Sequence, residues 1–343
     1  MNDTNLFKHA PKELVTDAFI TWLLYFLDSD DKYTKQKGVF FTDLLLSSQD
    51  FGKVISEISV IRQDKKKHGR SDLILEFLLD NVKKVILFEN KTWTGTSFKQ
   101  LNGYKEDNPN LYKYIYLKLA YVNYEEIKLT KQCGYEIINV HRLYEALSKI
   151  EELHPFILHY TEYIRHTFLQ FIDKLPIELY QYNNQNLLWN SQAQQFVISD
   201  IYKELDGKVN YLFFKTGSSF GRPWTEIDFC KKDKVFGDST ENIFWRIDIR
   251  SGKFYIRLNQ WADIDKDMAS NKYNRRNMLR QIAFDISKNY NLFPGRLSNR
   301  GLKESELIIF FLDINRLDVL IKVLPDFSVE FINRYKNSFE KSP

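Results

Sequence analysis

Between residues 11 and 27 the stretch PKELVTDAFITWLLYFL repeats apolar residues at helical spacing and predicts an amphipathic helix, with Pro11 in its first turn. Leu14, Ala18 and Leu24 fall on a wide apolar face, while Glu13 and Asp17, one turn apart, share another. A second helix is predicted from Phe40 to Phe51. The period then changes. KVISEISVIRQ alternates as a strand, DKKKHGR reads as a basic loop, and SDLILEFLL and KKVILFENK read as two strands joined at the turn pair Asp80-Asn81. SFKQLNGYKEDN predicts a short helix with Gln100 and Tyr104 at i, i+4; YKYIYLKLAYV predicts a strand. YEIINVHRLYEALSKI is a strand leading into a helix, and HPFILHYTEYIRHTFLQFIDKL a long aromatic-rich helix.

The polar run YQYNNQN near 180–186 separates this half from a second pattern. There NSQAQQFVISDIYKEL predicts a helix capped by Asn190, and FWRIDIRSGKFYIRL a hairpin across Ser251-Gly252. YNRRNMLRQIAFDISKNY predicts a basic helix, and ELIIFFLD a buried strand followed by helical segments. A chain of 343 residues exceeds the usual size of one hydrophobic core, so two domains are expected: 1–180, α/β, and 186–343, a smaller α+β domain.

The net charge of +4 says little, but its distribution says more. Lys231 to Arg300 holds 15 Lys/Arg and 8 Asp/Glu, an excess of +7, so the remainder sums to −3 (4 − 7). Such an excess marks either a polyanion-binding face or a solvated charged surface. Two distant cysteines, Cys133 and Cys230, argue for a reduced, cytoplasmic protein and against a disulfide scaffold or zinc site. The N-terminal segment has no signal-peptide pattern, and Phe19 to Leu27 is too short to span a bilayer, so no membrane association is expected.

The strand VILFENK raises a chemical question, because its apolar run ends in Glu89 and Lys91, which point the same way. With a two-residue loop at Asp80-Asn81, paired positions sum to 161, and Asp72 stands opposite Glu89. Cβ atoms so placed are about 4.5–5.5 Å apart. Two carboxylates that close repel unless a cation bridges them or one takes a proton. Hard oxygen ligands at this spacing suit Mg²⁺ or Mn²⁺. Lys91, about 7 Å further along the same face, can stabilise charge developing on a phosphate. Together these are the parts for metal-assisted phosphodiester hydrolysis.

GRSDLILEF followed by VILFENKTWTGTSFKQLNGY resembles the PD-(D/E)XK nuclease superfamily, and within it the bacterial branch with an IENK-like second motif and a Gln-Leu-x-x-Tyr helix. The resemblance covers roughly residues 9–175 and implies a restriction-endonuclease-like mixed sheet flanked by helices. It implies Asp72, Glu89 and Lys91 as catalytic residues. Asp72, Glu89 and the backbone carbonyl of Asn90 would hold the metal, with Glu13 completing the shell and Asp17 its competitor. Gln100 and Tyr104 match the downstream helix beside the site, where substrate contact and local hydrogen bonding stay open. Ser71 replaces the family's proline at a position that supplies no ligand, and YLKLAYV lacks the Thr-Pro that often ends the third strand. The resemblance further implies DNA rather than RNA as substrate, in a phage-defence or mobile-element setting.

The basic run Lys65-Lys66-Lys67-His68-Gly69-Arg70 leads straight into Asp72, and Lys67 and Arg70 are its candidate phosphate contacts. Trp93 suits either base stacking or capping of the core. Glu76 and the histidines read as structural. In the second half Arg246, Arg250, Arg257, Lys272, Arg275, Arg276 and Arg280 mingle with Trp245, Tyr255, Trp261 and Tyr273, which suits nucleic acid, a partner protein or a second copy equally. The expected function is a metal-dependent nuclease. The alternatives are a nuclease fold kept as a binding module without turnover, and a nuclease gated by an activating partner.

Overall fold

A computed structural model of the chain describes residues 7, 12–53, 55–264, 266–298, 301 and 303–340, with the side chains of residues 12, 13, 55, 56 and 338–340 outside that description. The chain forms two compact units, Met1–Lys174 and Leu175–Pro343. Among the described residues no helix is long and apolar enough to cross a membrane.

The first unit is mixed α/β. Helix α1 (Lys12–Leu24) continues as a 3-10 turn, Tyr25–Asp28, and is followed by α2 (Lys32–Leu46). The predicted Phe40–Phe51 helix thus begins and ends earlier. Asp31 caps it by accepting from Thr34 N at 2.7 Å, and Ser47 ends it in the left-handed region at φ 42°. On α1 the buried apolar positions are Phe19, Ile20, Leu23 and Leu24, whereas Leu14, expected on the apolar face, is exposed. Pro11 lies outside the described residues.

Strands β1 (Ile55–Lys66), β2 (Gly69–Leu79) and β3 (Val82–Lys91) form an antiparallel meander, and β4 (Lys113–Lys118) and β5 (Glu136–Asn139) extend it in parallel. The predicted basic loop is therefore mostly strand, because Lys66 pairs with Gly69 and leaves Lys67-His68 as the turn. Between the parallel strands run α3 (Phe98–Asp107) and α4 (Tyr124–Cys133), and α5 (Val140–Ser148) follows β5. One face of the sheet, with Leu73, Leu75, Phe77 and Phe88, packs into the core that includes Phe19, Leu23, Phe41 and Tyr160. The other, with Leu87, Tyr114 and Tyr116, packs against Leu101 and Tyr104 of α3. The long aromatic helix is real but interrupted: α6 (Pro155–Ile164) and α7 (Gln170–Pro176) are joined by a π turn at Arg165–Leu169.

In the second unit, after short turns at Ile177–Gln181 and Gln185–Trp189, comes α8 (Ser191–Leu205), capped by Asn190, whose side chain accepts from Gln192 N at 2.9 Å. Its antiparallel sheet comprises β6 (Phe213–Ser219), β7 (Arg222–Phe236), β8 (Ser239–Arg250), β9 (Lys253–Ala262) and β10 (Glu304–Phe311). The β8–β9 hairpin turns at Ser251-Gly252, as its pattern predicts. Strands β6 and β7 were not legible. Helices α9 (Ala269–Asn289) and α10 (Leu317–Glu340) complete the unit. Trp245 is fully buried, its Nε1 donating to Ser328 Oγ at 2.7 Å, so it is core rather than an interface aromatic.

Candidate active site

The β2–β3 turn sets the geometry. Asp80 and Asn81 have φ of 52° and 61°, the left-handed pair of a two-residue hairpin loop. Leu79 pairs with Val82, and the register runs unbroken to Leu73 opposite Phe88. The next step brings Asp72 to Glu89, and here the ladder changes. Asn90 N donates to the Asp72 carboxylate (Oδ2) at 2.7 Å rather than to a backbone carbonyl. On its other edge β3 remains paired with β4, Glu89 beside Tyr116 and Lys91 beside Lys118. Thus Asp72 is fixed by backbone at the point where β2 parts from β3 while staying paired with β1.

Glu89 is 1% exposed. Its Oε1 accepts from Gln100 Nε2 at 2.7 Å and meets Lys91 Nζ at 2.5 Å. Its Oε2 is buried with no hydrogen-bond partner. Burial first, and then the charge of Asp72, push the Glu89 carboxyl up to about 8, with Lys91 opposing. Gln100 is held in turn: its Nε2 also reaches Tyr104 Oη at 3.1 Å, and its Oε1 accepts from Thr96 Oγ1 at 3.3 Å. Tyr104 is buried, with its ring against Gly69, where a Cβ would come within 2.8 Å of it. Gln100 and Tyr104 therefore brace Glu89 from α3.

Helix α1 delivers a third carboxylate. Asp17 is buried, and its Oδ1 accepts from Asn90 Nδ2. The side chain of Glu13, expected as the metal ligand from this helix, lies outside the described residues. The side-chain oxygen of Asn90, Oδ1, is buried without a partner. Among the described residues no three His, Cys, Asp or Glu side chains gather into a metal-holding group. What the site does offer is carboxylate oxygen, Asp72 and the Oε2 of Glu89, hard donors of the kind a divalent cation takes; the Asn90 side chain, one residue along the strand, faces the other side of the sheet with Asp17.

The basic hairpin is partly tied down. His68 Nδ1 lies 2.9 Å from Asp107 Oδ1, Lys66 Nζ donates to Asn108 Oδ1, and Arg70 Nη1 donates to Gln63 Oε1 at 3.1 Å. Lys67 and Arg70 remain exposed. Trp93 packs on Phe168, ring centroids 4.8 Å apart, and so caps the core.

Sequence reasoning passed over one feature, a buried ion pair beside the site. Lys118 is 0% exposed and donates to Glu126 Oε1 at 2.9 Å and to Thr94 O. Tyr116 Oη donates to the same Glu126 oxygen at 2.6 Å. The pair anchors the segment between Lys91 and α3. Its signal was a lysine inside the apolar run YIYLKLAYV, with a glutamate eight residues on. Comparison with family models, with curated proteins and with solved structures returned no match.

Proposed function

We propose that the first unit is a restriction-endonuclease-like, metal-dependent phosphodiester hydrolase, with DNA the substrate favoured by the motif resemblance. The observation that carries the reading is the Asp72–Glu89 pair: a buried carboxylate with one oxygen open, beside a second carboxylate, with Lys91 on its other oxygen. A buried pair of this kind costs stability, and it arises from the register that the two-residue turn at Asp80-Asn81 imposes on β2 and β3. A bound Mg²⁺ or Mn²⁺ would supply Lewis acidity and an activated water.

The chain's own residues have separate tasks. Asp72 and Glu89, with the backbone carbonyl of Asn90, would present oxygens to the ion. Gln100, fixed by Tyr104, holds Glu89 in place. Lys91 neutralises charge that develops on the phosphate. Lys67 and Arg70 draw in the phosphate backbone, a contribution that falls with salt.

The test pairs cleavage with binding. Supercoiled plasmid and single-stranded DNA are incubated with Mg²⁺, Mn²⁺ or EDTA, with the native protein, Asp72→Ala and Lys91→Ala, and Mn²⁺ binding is titrated calorimetrically on the same proteins. Metal-dependent cutting lost in both variants, with binding lost in Asp72→Ala, supports the reading. Neither cutting nor metal binding by the native protein sinks it.

A further inference from the structure

On the second unit's sheet, β6 and β7 are joined by a two-residue turn, Phe220-Gly221, at φ 52° and 74°. Turns of this type favour Asn or Gly at both positions, because both need the left-handed region. A phenylalanine there is unfavourable twice: its backbone is strained, and its ring is fully exposed. Nothing in the fold of the hairpin calls for it.

The neighbouring residues make a cleft of about 290 Å³ lined by Ser219, Phe220, Arg222, Trp224, Arg246 and Asp248. Its aromatic wall is built. Trp224 lies over Gly217, where a Cβ would come within 2.4 Å of the ring, and its Nε1 donates to Ser219 Oγ at 3.1 Å. The Arg246 guanidinium stands 5.0 Å from the Trp224 ring and 5.1 Å from that of Phe244, and is fixed there by Glu226 at 2.6 Å and Glu304 at 3.1 Å. Arg246 is therefore a prop for the indole. Arg222 is exposed at the cleft, a cation at its rim. Asp248 is fixed through both oxygens, Oδ2 by Arg257 at 2.9 Å and Oδ1 by Ile249 N at 2.8 Å, and a further N–H would share one of these acceptors.

Two aromatic rings, a rim cation and a fixed carboxylate in a space near the lower end of ligand-pocket size suit one flat, anionic unit. We propose that this cleft binds an unstacked nucleotide of single-stranded nucleic acid: the base stacks on Phe220 against the wall that Trp224 and Arg246 form, an amino or imino N–H meets Asp248, and the phosphate meets Arg222. The proposal rests on the nucleic-acid reading of the first unit, and its test reads binding without cleavage so that either can fail alone.

The experiment is fluorescence anisotropy of a labelled single-stranded oligonucleotide of mixed sequence, and of its duplex, with the full chain in EDTA. The variants are Phe220→Asn, Phe220→Tyr and, as a control at another exposed ring, Phe293→Ala. Phe220→Asn suits the turn better, so its thermal midpoint should hold or rise, while single-strand affinity falls about tenfold or more. Phe220→Tyr and Phe293→Ala should bind as the native protein does. Native-like single-strand binding by Phe220→Asn overturns the proposal, as does the absence of binding by the native protein. Duplex binding that equals single-strand binding and ignores Phe220 also overturns it. Strands bound through Phe220 by a protein that neither cuts them nor binds Mn²⁺ would remove the nuclease reading and support this one. Metal-dependent cutting with binding indifferent to Phe220 would do the reverse.

Discussion

Replacing Glu89 with glutamine should stabilise the metal-free protein, and by an amount that grows with pH. In the unfolded chain this carboxyl ionises near its ordinary 4.5; in the fold, burial and Asp72 raise it to about 8. Between these values the folded state holds a proton that the unfolded state has released. Stability is then fully supported below the lower value and is lost as pH rises through the window. From pH 5 to pH 8 the loss attributable to Glu89 is roughly 3–4 kcal/mol at 1.36 kcal/mol per pKa unit. Glutamine keeps the Lys91-side oxygen and can donate towards Asp72, so it removes the slope. The assay is hydrogen exchange read at the β2–β3 peptides, in EDTA, across that range for both proteins. The native opening free energy should fall with pH, that of Glu89→Gln should stay flat, and Mg²⁺ should restore the native value alone. Parallel curves for the two proteins would refute the reasoning, because they would mean that Glu89 ionises in the fold as it does in the open chain.

Asp72→Ala and Lys91→Ala should each lower plasmid cleavage by about a hundredfold or more without unfolding the protein, read by conversion of supercoiled plasmid beside a circular dichroism spectrum. Lys118→Met leaves Glu126 as an uncompensated buried charge and should cost about 3–5 kcal/mol in urea denaturation, with Glu126→Gln in the same chain recovering part of it. Trp245→Ala empties the centre of the second sheet and should cost about 3–5 kcal/mol by the same measurement, whereas Asn190→Ala, which removes a helix cap, should cost about 1 kcal/mol.

The central hairpin was legible because its information is local. Asp80-Asn81 dictates a two-residue turn, the turn dictates the register, and the register brings Asp72 to Glu89. What local reasoning could not supply was the third dimension of the site. Glu13 and Asp17 share a face of one helix, and helical spacing alone does not choose between them. Asp17 meets Asn90 in the fold because α1 lies against the sheet at that level. Gln100 likewise could face solvent or strand on its sequence alone; its amide is committed to Glu89 and Tyr104. The start of α2 was readable in Asp31 and Thr34 but lay outside the apolar run that drew the prediction to Phe40–Phe51.

The second unit misled for a different reason. A charge count over a window assumes that neighbours in sequence are neighbours in space, and in an antiparallel sheet they are not. Arg246, Arg250 and Arg257 all fall within the stretch from Lys231 to Arg300 that carries the excess of +7. Their glutamate partners, Glu226, Glu304 and Glu306, fall outside it, on β7 and β10, although Arg257 also meets Asp248 within it. Arg275 is committed to the buried Glu241 at 2.8 Å, and Arg280 to the carbonyl of Glu306 at 2.8 Å. Five arginines of the apparent basic face are thus spent inside the unit, where they order the sheet. A polyanion would meet the cations left exposed, among them Arg222, which the window excluded. The same long pairing hid β6 and β7. Gly217, Gly221 and Pro223 break their pattern, and Phe220 occupies a turn position where its type gives no turn signal. The residue that most obscures the hairpin in sequence is also one that the fold leaves fully exposed.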